Sequence, residues 1–111
     1  MKIQEITRVL EQWAPAAYAE DFDNVGLLVG NIQNKCTGIL ITHDVLENVI
    51  DEAVEKTHNL IVCFHPIIFS GLKKLTEQSY VQRVVAKAIK NDIAIFALHT
   101  ALDNHSKGVS Y

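Results

Sequence analysis

Apolar positions in this chain switch between two periods. Ile3, Ile6, Val9, Leu10 and Trp13 recur at helical spacing, so residues 2–14 are expected to form an amphipathic helix. Pro15 ends it or turns the chain sharply. Val25-Gly26-Leu27-Leu28-Val29 is a short apolar run bounded by glycines and predicts a strand. Gly38-Ile39-Leu40-Ile41-Thr42 predicts a second strand, ending at His43-Asp44. Leu46, Val49, Ile50, Ala53 and Val54 then mark the apolar stripe of a helix, with Asp44 as its expected amino cap. The run from Asn59 to Phe64 predicts a third strand. Ser79 is placed to cap a helix whose stripe is Val81, Val84, Val85, Ala88 and Ile89. Ile93 to Leu98 predicts a last strand. From Gly38 onward the order is strand, helix, strand, helix, strand. That alternation predicts an α/β fold, a mixed, largely parallel sheet flanked by helices with right-handed crossovers. Asn104 to Tyr111 carry no finishing element, so the chain is expected to be cut within a larger fold.

Composition narrows the classes. A length of 111 residues suits one domain, and 49% apolar with 21% charged residues is ordinary for a globular chain. At this size roughly two-thirds of the unfolded surface can be buried. The net charge is −3 and Lys73-Lys74 is too short to track phosphates, so nucleic acid is not an expected partner. The amino terminus lacks a signal-peptide pattern, and no apolar run approaches a membrane span. Cys36 and Cys63 are far apart and form no CxxC pair, which points to a reducing cytoplasm.

Candidate chemistry gathers at two strand ends. The third strand stops in Phe64-His65-Pro66 and the last stops in His99-Thr100-Ala101-Leu102-Asp103. In one parallel sheet, His65, His99 and Asp103 would meet at the carboxyl edge, where open α/β sheets place ligands. Imidazole plus carboxylate suits a divalent metal. Taken alone, His65 reads more readily as a loop histidine bonded to backbone than as a metal ligand. Asp103 reads as a cap for the next turn. Taken together, they favour a metal site, with His99 a ligand or an orienting donor. Asp44 stands at the same edge, as does His43, which reads as an exposed loop histidine. His58 and His105 read as solvent-facing. Asp23-Asn24 reads as an Asx-type turn or a pair facing the pocket. There is no Walker loop, GxGxxG or nucleophile motif. Metal-activated water is therefore the economical nucleophile, with a carboxylate or imidazole moving the proton.

Three segments go beyond this generic reading. Asp21-Phe22-Asp23-Asn24-Val25-Gly26-Leu27-Leu28-Val29-Gly30 resembles a W-D-N-x-G-L-x-x-G signature. Leu60 through Phe69, with Phe64-His65-Pro66 at its centre, resembles an H-H-P-L-I-F block. His99-Thr100-Ala101-Leu102-Asp103 with Gly108-Val109 resembles an H-T-x-x-D block. In this order and spacing, over almost the whole chain, they resemble the Nif-three-like family, also called GTP cyclohydrolase 1 type 2 homologues.

The resemblance implies a two-lobed α/β fold, a dinuclear metal centre between the lobes and a homohexamer. Residues 1–111 are expected to be the amino-terminal lobe. It implies His65 and Asp103 as metal ligands, with His99 nearby. The ions would be of zinc, iron or manganese type, two in a complete member. A metal-dependent hydrolase acting on a nucleotide or purine is one expected activity. A non-catalytic metal-binding or protein-interaction module is the alternative. Two departures stand out: Phe64 occupies the place of the first histidine of the pair, and Phe22 replaces the tryptophan. The family's late H-x-x-x-E block has no counterpart within residues 1–111.

Overall fold

The computed structural model describes residues 1–13, 26–64 and 74–98. Within them the chain runs α1 (Ile3–Trp13), β1 (Gly26–Val29), β2 (Ile39–Thr42), α2 (Glu47–Lys56), β3 (Leu60–Cys63), α3 (Tyr80–Lys90) and β4 (Ala94–Ala97). The four strands form one sheet in the order β1-β4-β3-β2. β2, β3 and β4 are parallel, and β1 joins β4 antiparallel. This is the mixed, largely parallel sheet that the alternation predicts.

β3 and β4 occupy the centre and are buried at every position. Their continuous apolar runs fit strands covered on both faces. Side chains alternate between two cores. Ile61, Cys63, Ile95 and Ala97 pack beneath α2 and α3 with Ile50, Ala53, Val84, Val85 and Ala88. Leu60, Val62, Ala94 and Phe96 pack on the opposite face with Ile3, Ile6 and Leu10 of α1. β2 is an edge strand whose Ile39 and Ile41 are exposed while Leu40 packs on the α2–α3 side.

The helices follow their predicted stripes with small rotations. α1 buries Ile3 and Thr7, and Val9 faces outward, because Val9 lies off the 3, 6, 7, 10 line. The first turn of α1 is tied down by a neighbouring turn: Ile3 N–H donates to Asn34 O (2.9 Å) and Gln4 N–H to Ile32 O (2.9 Å). These bonds satisfy donors that a helix leaves open at its start. Ser79 caps α3 as expected, accepting from Gln82 N–H at 3.3 Å. Ile89 lies off the α3 stripe and is exposed. Two cross-helix ion pairs, Arg83–Glu47 (2.8 Å) and Lys87–Asp51 (2.5 Å), join α2 to α3. Both are largely solvated, so each contributes at most about 1 kcal/mol.

Backbone conformation is restrictive at two points. Gly30 has φ +109, and a Cβ there would meet Ala94 Cα and Cβ at 2.6 Å. Only glycine lets β1 leave the sheet this close to β4. Thr57 closes α2 at φ 59, ψ 38, with its N–H donating to Val54 O (3.1 Å) and His58 N–H to Ala53 O (2.8 Å). A β-branched residue is strained in this left-handed cap.

The expected cap at the other end of α2 is corrected. Asp44 is not the amino cap. Val45 is buried (2% exposed), so the chain dips into the core before the helix starts. The cap position falls on Leu46, which makes no side-chain capping bond and is 47% exposed. Val45 takes the core place that the stripe assigned to Leu46, and Val54 is also exposed.

Cys63 is fully buried at the end of β3. Burial, with a smaller contribution from the Asp44 carboxylate, pushes its pKa from the ordinary 9.0 up to about 12. The folded chain therefore keeps a proton that the unfolded chain releases between those values.

Both ends of α2 and this thiol are open to test. Leu46→Thr should stabilise the fold by about 1 kcal/mol by supplying the missing cap. Thr57→Gly should add about 0.5–1 kcal/mol, the relief of left-handed strain less the entropy cost of glycine. Urea unfolding measures both, and a loss of stability in either variant contradicts its assignment. Stability should also fall as pH rises above 9.0 toward 12, with a slope reaching about 1.4 kcal/mol per pH unit from Cys63. Cys63→Ala should remove that component, and an unchanged alkaline slope in the variant would refute it.

Candidate metal centre

Three parallel strands end level. Thr42 pairs with Cys63, and Cys63 pairs with Ala97. Past the strand ends the β3–β4 ladder continues, Leu98 N–H donating to Cys63 O (2.8 Å), whereas Phe64 N–H donates to His43 O (3.3 Å) and not to the Thr42 O that the β2–β3 register calls for. This is the carboxyl edge of the parallel strands, the place where such sheets hold ligands. The segment bearing His65 follows Phe64, and the segment bearing His99 and Asp103 follows Leu98. His65, His99 and Asp103 themselves lie outside the described residues, as do Asp23 and Asn24. His105 lies outside them as well.

The described part of the edge is built by His43, Asp44, Cys63 and Phe64. His43 Nδ1 lies 3.4 Å from Asp44 Oδ2, with side-chain exposures of 67% and 54%. His43 is thus exposed, as its sequence context suggests. Thr42 Oγ1 donates to Asp44 O (3.0 Å) and shapes the turn that carries both side chains. The His43 and Phe64 rings sit side by side, centroids 6.1 Å apart and planes tilted by 40°. Phe64 also packs against the core beneath α1. Cys63 points to the opposite core, under α2 and α3, and holds its proton, so it is no thiolate donor at this edge.

These groups fit a divalent ion in part. Imidazole and carboxylate at His43 and Asp44 are suitable donors. Phe64 offers none. Among the described residues, no group of three or more His, Cys, Asp or Glu side chains is placed to hold a metal. The adjacency of His43 and Phe64 is invisible in the sequence, since it depends on the register of β2 against β3.

The opposite end of the sheet has a cavity of about 260 Å³ lined by Thr37, Thr57, His58, Asn59 and Asp92 among others. His58 Nδ1 is buried without a hydrogen-bond partner among the described residues. His58 is therefore not the solvent-facing histidine that its polar surroundings suggest, because its ring lies over Gly38, where a Cβ would come within 2.2 Å of it. Among the described residues, no helix is long and apolar enough to cross a membrane.

Known proteins resemble this chain over most of its length. "GTP cyclohydrolase 1 type 2 homolog" of Staphylococcus epidermidis is 44% identical over 110 residues, covering 99% of this chain and 30% of that protein. "NIF3-like protein 1" of Drosophila melanogaster is 43% identical over 110 residues, covering 98% of this chain and 38% of that protein. The crystal structure of Staphylococcus aureus protein SA1388 superposes with a TM-score of 0.92 at 39% identity, covering 98% of this chain and 35% of that one. Reduced HcgD from Methanocaldococcus jannaschii gives a TM-score of 0.84 at 29% identity, covering 93% of this chain and 41% of that one. The chain thus spans roughly a third of the length of these relatives. The family model described as Duf34/NIF3 (NGG1p interacting factor 3) matches residues 1–111, and this chain belongs to that family.

Proposed function

We propose that the whole protein is a divalent-metal-dependent hydrolase acting on a nucleotide or purine, and that this chain contributes His65 and Asp103 to its metal site. One observation carries the proposal. β3 and β4 are adjacent, parallel and in register to their ends, and the segments bearing these two residues follow directly. Adjacent strand ends bring side chains of different segments to one edge. The name GTP cyclohydrolase 1 type 2 homolog, carried by several relatives, supports the substrate class. In that chemistry water adds to a ring carbon of the purine and the ring opens. A divalent ion supplies Lewis-acid activation of water when bound. This chain's part is to present an imidazole and a carboxylate from neighbouring strand ends. The zinc, iron or manganese type of ion, occupancy by two ions and a cytoplasmic location belong to the same reading. So does self-association, which the exposed Ile39 and Ile41 of edge strand β2 support.

A second reading is favoured by Phe64. Its ring donates nothing where the resembling motif has a histidine, so the protein would be a metal-binding or interaction module without turnover. The words "interacting factor" in the family description support a partner-binding role.

The full-length protein, purified without chelator, should contain a divalent metal by elemental analysis. His65→Ala and Asp103→Ala should each lose it, and GTP or another purine nucleotide should be consumed. A metal-free protein, or variants that keep the wild-type metal content, would refute the first reading. Fewer than two ions per chain with no turnover across a nucleotide panel would favour the second, and clear GTP turnover would exclude it. Light scattering should report an oligomer; a clean monomer counts against self-association.

A further inference from the structure

We infer that the cavity where β2, β3 and β4 begin binds a small organic ammonium ion. The site lies at the end of the sheet opposite the candidate metal centre and does not depend on a metal there.

Its walls are fixed without a ligand. Asn59 Oδ1 accepts from Thr37 N–H (2.8 Å), and Asn59 Nδ2 donates to Lys35 O (2.8 Å). Thr37 Oγ1 donates to Thr57 O (2.7 Å), and Asn34 Nδ2 donates to Asp92 Oδ1 (3.1 Å). The segment before β2 is thus tied to the turns that precede β3 and β4. Those turns are strained. Among the described residues, three other than glycine have positive φ, and two of them, Thr57 (φ 59) and Asp92 (φ 55), line this cavity. Backbone strain concentrated at one place points to a site with a use.

Charge selects the ligand. Among the described residues of the lining, Asp92 is the one carboxylate, and there is no lysine or arginine. α2 and α3 both end here, at Thr57 and Asn91, so the negative ends of two helix dipoles add to that carboxylate. A cation is favoured and an anion is not. A bare metal ion is a poor match, because no group of three or more metal-ligating side chains is present among the described residues. Ala53 and Ile93 form a buried apolar floor, and Val54 flanks it. The volume of about 260 Å³ holds roughly nine heavy atoms at the volume of one water each. His58 lines the same cavity, and its Nδ1 is buried without a hydrogen-bond partner. A buried polar atom left open calls for a reason. A donor seated beside the ring supplies one, and an ammonium has three N–H groups to share with Asp92. An ammonium on a short apolar chain matches charge, floor and size together.

The test uses the full-length protein with n-butylammonium as the probe, followed by isothermal titration. Neutral 1-butanol and anionic butyrate are the controls. The ammonium should bind about tenfold more tightly than 1-butanol, and butyrate should not bind. Its binding should weaken as salt is raised. In protein carrying ¹³C-labelled histidine, the ring signal missing from His58→Gln should shift on titration. Asp92→Asn should weaken binding about fivefold. Asparagine tolerates the left-handed backbone and keeps an oxygen for Asn34, so the unfolding midpoint should hold. Val54→Lys gives a second test that leaves Asp92 in place. Val54 is 45% exposed in the last turn of α2, where lysine suits the helix end, and the new ammonium would occupy the cavity itself. That variant should lose n-butylammonium binding. Absence of saturable binding, equal affinity for 1-butanol, or wild-type affinity in both variants would overturn the proposal. His65→Ala should bind the probe like the wild type, so failure of the metal reading and failure of this one are read separately.

Discussion

The parallel pairing of β3 with β4 is the constraint on which the rest of this fold depends. Leu60 to Cys63 face Ala94 to Ala97 position by position, and all eight residues are buried. Each side chain is committed to one of two cores. Slipping the register by one residue would leave the pairing of faces wrong along the whole central sheet. The helices are fitted around this pair, α2 and α3 on one face and α1 on the other. The level ending of the strands follows from the same pairing, and with it the edge that carries the candidate chemistry.

Burial on both faces also decides which groups at that edge can react. Cys63 ends β3 in an apolar core, so its thiol keeps its proton far above neutral pH. Phe64, one residue on, is shared between the α1 core and the edge. His43 and Asp44 lie past the end of an edge strand and remain accessible. Polar chemistry is confined to residues just beyond the strands because the strands themselves have no room for it.

Much of the architecture was legible as periodicity. The continuous runs of β3 and β4 announced buried strands, and Ser79 before the Val81–Ala88 stripe announced a capped helix. The motifs around residues 21–30, 60–69 and 99–103 pointed to the family that the comparisons bear out. Periodicity failed where two positions compete for one place in the core. Val45 won over Leu46 because the turn after β2 dips inward before α2 begins, and that displaced the expected cap from Asp44. Val9 and Ile89 read as stripe residues but lie outside the arc that each helix presents to the sheet. The antiparallel entry of β1 beside β4 had no local signal, since strand direction depends on where the chain returns to the sheet.

The sequence by itself determined which segments are strands and helices, which family the chain resembles, and which residue types stand at the strand ends. These follow from local spacing and from motifs that any register would preserve. Tertiary structure alone decided that His43 lies against Phe64 and that Asp44 turns toward His43 instead of capping α2. The first contact joins residues from different strands, and the second is between neighbours whose turn is set by the burial of Val45. Their partners are selected by strand order, register and the burial of Val45, which are properties of the folded sheet and not of any one segment.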